Sequence, residues 1–124
     1  MRVLVDSDIL IEVTRGSNTS IISRWTELGR SDRAILYSPV SAAEVWAGAR
    51  PAEHDALGVL FQMLVCVPLD AQTGRQAGEY LRRYHKSHGV ELGDALIAAS
   101  ARIGDAALWT RHRKHYPMPD LTFF

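Results

Sequence analysis

Short apolar runs alternate with amphipathic stretches along these 124 residues. That alternation predicts an α/β fold, with a mostly parallel sheet covered on both faces by helices. Two further observations support it. The apolar runs RVLV, AILYS, VCVPL and ALW are short, rich in Val, Leu or Ile, and bounded by Asp, Pro or Gly, as buried strands are. Hydrophobic residues make up 47% of the chain against 23% charged, enough for one packed core, so residues 1–124 are expected to form a single domain.

The elements follow in order. Residues 2 to 5 form the first strand, which stops at Asp6. Ile9 to Val13 begin a helix that Gly16 ends. Ile21, Ile22, Trp25 and Leu28 mark the apolar face of a second helix, capped near Asn18 to Ser20 and closed at Gly29. AILYS is the second strand, and Ser41-Ala42-Ala43-Glu44 carries the Ser-x-x-Glu capping pattern that places Glu44 in a helix's first turn. Leu57, Leu60, Phe61 and Leu64 recur at helical spacing, and VCVPL supplies a third strand. Thr73 to Lys86 forms a helix with Ala77, Tyr80, Leu81 and Tyr84 inward. Gly93-Asp94 opens another through Ile103, Ala107 to Trp109 is a fourth strand, and LTFF at 121–124 a fifth.

The 14 basic and 14 acidic residues balance, so bulk positive charge cannot hold a polyanion and any nucleic-acid contact needs local patches. Arg111, Arg113 and Lys114 form one such patch, and Arg75, Arg82, Arg83, His85 and Lys86 another, each of which also reads as an ordinary solvated face. Cys66, the single cysteine, is expected to pack as a small hydrophobe in a reducing compartment. Asp6, Asp8 and Glu12 interrupt the first apolar stretch too early for a signal peptide or membrane span, and a cytoplasmic location is expected.

Three acids stand where a site can form. Asp6 ends a buried strand, the position at which parallel sheets bind ligands. One arrangement of the sheet brings Glu44 and Asp94 to the same edge. Two carboxylates about 4 Å apart at an effective dielectric of about 20 repel by roughly 4 kcal/mol, a cost that a divalent cation offsets. Mg²⁺ and Mn²⁺ suit such oxygen donors and keep waters, one of which can be activated to attack phosphorus. Taken singly, Glu44 and Asp94 fit helix-terminal roles better, and Asp6 stands evenly between helix cap and chemistry.

The blocks VLVDSDILIE (3–12), SPVSAAEVWAGA (38–49), ELGDALIAASA (91–101) and LWTRHRKHYP (108–117) together resemble the PIN-domain family, in particular its VapC-like ribonuclease toxins. The resemblance spans nearly the whole chain. It implies a three-layer α/β/α PIN-like domain with four or five strands, cleaving RNA with Mg²⁺ or Mn²⁺. Asp6, Glu44 and Asp94 fall on the family's acidic positions, which would make Asp6 and Asp94 the principal metal ligands. Glu44 would complete the site or orient the attacking water. A homodimer and a cognate VapB-like antitoxin are the implied partners.

The fourth acid of many family members is replaced here by Thr110-Arg111-His112, with His115 beyond. Asp8 and Glu91, each close in sequence to a core acid, are candidates to compensate. Thr110 can hydrogen-bond a carboxylate, and His112 and His115 can bind phosphate or donate protons. Trp46 either packs its helix onto the sheet or lines a groove for an antitoxin peptide. Two other functions compete with the nuclease. One is a PIN-like binding module without activity. The other is a haloacid-dehalogenase-like phosphatase suggested by Asp6-Ser7-Asp8, against which Leu10 stands where a hydroxyl residue is expected.

Overall fold

The computed structural model describes residues 1–124. Four strands, β1 (Arg2–Val5), β2 (Ala34–Tyr37), β3 (Val65–Cys66) and β4 (Ala106–Trp109), form one sheet in the order β3-β2-β1-β4, and every pairing is parallel. Leu4 pairs with Leu36 on one side and with Leu108 on the other, giving a row of leucines across the sheet. The period of two along a strand sends that row to one face and Val3, Val5 and Trp109 to the opposite face. Val3, Leu4 and Val5 are fully buried, because β1 is central and both faces are covered.

Six helices make the covering layers. Against the leucine face pack α5 (Ala71–His88) and α6 (Leu92–Ile103), contributing Ala77, Tyr80, Ile97 and the small Ala95, Ala98, Ala99 and Ala101. Against the other face pack α1 (Ser7–Arg15), α2 (Thr19–Arg30), α3 (Pro39–Gly48) and α4 (His54–Gln62), through Ile9, Leu10, Leu28, Val45, Leu57 and Phe61. The result is the expected three-layer α/β/α sandwich. Gly16 and Gly89 end α1 and α5 at φ of 68° and 65°, the left-handed conformation that costs a glycine nothing.

Several expectations need correction. Helix α3 starts at Pro39 with Ser38, not Ser41, as its cap: the Ser38 hydroxyl accepts the Val40 N–H at 3.1 Å. Proline at the first helical position lacks the N–H that would otherwise go unpaired, so the helix begins earlier than the Ser-x-x-Glu pattern implies. Glu44 therefore lies in the second turn, and Ser41 is a buried hydroxyl without a partner. Gly29 lies inside α2, which runs on to Arg30. Strand β3 spans two residues at the sheet edge, so Cys66 is exposed instead of packed. The 121–124 segment adds only one parallel bridge, Leu108 to Phe123, beside β4.

Candidate active site

The chain leaves β1 toward β2 on one side, while β4 lies on the other, so the sheet has its topological switch beside β1. Asp6 follows β1 directly, and its backbone N–H donates to Trp109 O at 2.9 Å, tying the ends of β1 and β4 together. Its side chain caps α1 through the Ser7 N–H, which Oδ1 accepts at 2.8 Å. Oδ2 accepts two hydroxyls, Thr110 at 2.9 Å and Tyr116 at 2.8 Å. Asp6 is thus a buried, anchored carboxylate that both caps a helix and faces the residues after β4.

Asp8, in the first turn of α1, meets the same turn. Its Oδ2 accepts the Arg111 N–H at 3.1 Å and lies 2.9 Å from His112 Nδ1. Its Oδ1 is buried with no partner. Burial and the neighbouring Asp6 charge hold its pKa above the ordinary carboxylate value, although the Arg111 and His112 contacts pull the other way. The structure therefore brings an acid, Asp8, to the segment where the sequence lacks one.

Glu44 reaches toward α1 from α3: Ser7 Oγ donates to Glu44 Oε1 at 3.4 Å. Its pKa is raised by burial, then by the charges of Asp6, Asp94 and Asp8. Asp94, in the first turn of α6, accepts the Glu91 N–H at 3.4 Å and is raised by burial and by Asp6, against a lowering contribution from His115. Three segments distant in sequence thus place their acids within each other's electrostatic reach. No three of these side chains stand close enough together to enclose an ion in this geometry.

The remaining candidates divide. Thr110 is buried in the site and its hydroxyl oxygen also accepts the His112 N–H at 3.1 Å. His112 pairs with Asp8, and the His115 ring stacks on it at 5.2 Å. Glu91 is exposed and acts on Asp94 as the cap of α6. Arg111 is paired with Glu12 at 3.1 Å, and Arg113 lies 5.0 Å over the Phe123 ring and bonds Phe124 O. Lys114 alone of this basic turn has no partner. Trp46 is 39% exposed and packs on His54 and Phe61, and Trp25 stacks on Trp109 within the core.

Tyr116 escaped the reading of the sequence. It lies within the 108–117 block but carries no role by residue type, and the contact depends on the short helical turn Arg113–His115 that precedes it. Burial and the Asp6 charge push its pKa well above the ordinary tyrosine value, so the phenol keeps its proton and donates.

The donor set fits a hard divalent cation. It is all oxygen, it is made of carboxylates, and it includes the buried unpartnered Asp8 Oδ1.

Residues 3–118 match the PIN domain family, and the chain belongs to that family, whose ribonucleases are generally dependent on divalent metal. Within it the chain is similar to the VapC ribonucleases. Ribonuclease VapC10 of Mycobacterium tuberculosis is 39% identical over 118 residues, covering 94% of this chain and 86% of that protein. Ribonuclease VapC19 of the same organism is 35% identical over 120 residues, 95% of each chain. Among solved structures, VapBC2 from Rickettsia felis, bound to a promoter DNA fragment, superposes with a TM-score of 0.83 at 20% identity. It covers 100% of this chain and 98% of that one, a likeness of fold. The match leaves no ground for the dehalogenase-like phosphatase, and Leu10 is a core residue.

Proposed function

We propose that this protein is a divalent-metal-dependent endoribonuclease, the toxin of a toxin–antitoxin pair, with Asp6, Glu44 and Asp94 as its metal-binding and catalytic acids. One observation carries the assignment to these residues. Asp8, Glu44 and Asp94 are each held above the ordinary carboxylate pKa with Asp6 among the causes, at the switch point of a PIN-family sheet.

Asp6 is the anchored ligand, its orientation held by three donors. Asp94 faces it from α6, and Glu44, the more exposed of the three, orients the water that attacks phosphorus. Asp8 is an accessory acid, and His112 and His115 flank the cluster where a phosphate's negative charge needs a counterpart. A bound Mg²⁺ or Mn²⁺ would neutralise the acids and polarise the phosphodiester. Lys114 is the basic-turn residue free to meet an RNA backbone, whereas Arg111 and Arg113 must first give up their partners.

The partner proposed is a VapB-like antitoxin, a reading supported by the VapBC complexes among the structural neighbours. A homodimer and a cytoplasmic location complete it. No helix is long and apolar enough to cross a membrane.

The test compares wild type with Asp6→Asn on a mixed RNA pool, with chelator, Mg²⁺ or Mn²⁺. Cleavage is expected only from wild type with metal, falling by at least about 100-fold in the variant. Equal cleavage by both proteins would sink the mechanism, and metal binding without cleavage would favour the inactive binding module.

A further inference from the structure

The three donors on Asp6 are unevenly shared between its oxygens. Oδ1 takes only the Ser7 N–H, at 2.8 Å, while Oδ2 takes both the Thr110 and the Tyr116 hydroxyls, at 2.9 and 2.8 Å. An ionised carboxylate offers about two lone-pair positions on each oxygen. Oδ2 is therefore filled, and Oδ1 keeps one position open. Neither hydroxyl has freedom to leave. Tyr116 is 3% exposed and its hydroxyl has no acceptor other than Asp6. Thr110 has one proton to give, and Asp6 at 2.9 Å is the better acceptor than Asp8 at 3.5 Å.

We infer that Tyr116, with Thr110 as its fellow donor, restricts Asp6 to one-oxygen ligation and thereby sets the site's preference for a small octahedral cation over a larger one. The inference rests on the reading of Asp6 as a metal ligand. Mg²⁺ demands near-ideal octahedral geometry, keeps waters and takes single oxygens from one or two carboxylates. Ca²⁺ accepts about six to eight oxygens in flexible geometry and readily takes both oxygens of one carboxylate. A carboxylate with one oxygen closed suits the first ion and handicaps the second. Either donor alone would leave Oδ2 half open, so the two hydroxyls close it together. Tyr116 touches neither ion nor substrate, and is a positioning residue.

The experiment measures Mn²⁺ binding to metal-free wild type, Tyr116→Phe and Thr110→Val, counting free Mn²⁺ by its EPR signal, with Mg²⁺ and Ca²⁺ as competitors. Circular dichroism and melting establish that each variant is folded. In Tyr116→Phe the ratio of Ca²⁺ to Mg²⁺ affinity is expected to rise about tenfold or more, the scale of one hydrogen bond to a charged group. Thr110→Val, which opens the other position on the same oxygen, should move the ratio in the same direction. It decides the matter alone if Tyr116→Phe does not fold. A packing role would weaken both ions alike. A ratio within about twofold of wild type in the folded variants overturns the inference, being well under one hydrogen bond's worth, and leaves the metal-site reading standing. Failure of wild type to bind Mn²⁺ overturns both.

Discussion

Glu44 is exposed as a residue, yet its carboxyl titrates above the ordinary value of 4.5 because partial burial and the charges of Asp6, Asp94 and Asp8 oppose its ionisation. A carboxylate whose folded pKa is raised costs stability when ionised, and the cost is present at neutral pH. Removing its charge should therefore stabilise the metal-free protein while weakening the proposed metal site, a trade of stability for function. Glu44→Gln is expected to raise the melting temperature in chelator by about 2 °C at pH 7, a small gain because solvent screens an exposed group. Calorimetry measures it, and an unchanged or lower melting point would show that the acids do not strain one another. Asp6 was legible at this scale because it ends a buried strand. Tyr116 was not, because its role depends on a contact with Asp6 that only the tertiary fold creates.

At the scale of the element, α3 holds two serines three residues apart whose roles are opposite. Ser38 is buried and caps the helix, accepting the Val40 N–H, whereas the buried Ser41 hydroxyl has no partner. Loss of a cap costs about 1 kcal/mol, and so does a buried unsatisfied hydroxyl, which alanine would remove. Ser38→Ala is expected to lower the urea midpoint and Ser41→Ala to raise it. Destabilisation by Ser41→Ala as large as that by Ser38→Ala would return the capping role to Ser41. The pattern at 41–44 misled because local sequence offers two serines around a proline, and Pro39 at the first helical position makes Ser38 the cap while Ser41 falls inside the helix. The helices were otherwise legible from apolar spacing. The short β3 and the single bridge at Phe123 were not, since an edge strand's length depends on how far its neighbour extends.

At the scale of the molecule, the strand order brings acids far apart in sequence within each other's electrostatic reach, and on the proposed metal-binding reading protons and a divalent cation compete for them. Asp8, Glu44 and Asp94 all lie above their ordinary values of 3.8, 4.5 and 3.8. A raised acid binds its proton more tightly folded than unfolded, so metal-free stability should rise as pH falls from neutrality toward those raised values. Below the ordinary values the gain stops. Glu53, Asp70 and Glu79, lowered by their contacts with Arg50, Thr73 and Arg82, then lose the stability they contribute above. The melting temperature in chelator should therefore peak on the acid side of neutrality. Mg²⁺ at about 100 times its dissociation constant adds roughly 2.7 kcal/mol at neutral pH by mass action, and less as protons displace it. The two melting curves should converge on acidification and separate toward neutrality. Parallel curves would mean that metal and protons do not share these carboxylates, and Asp6→Asn, which removes the charge that the other three have in common, should close the gap at every pH.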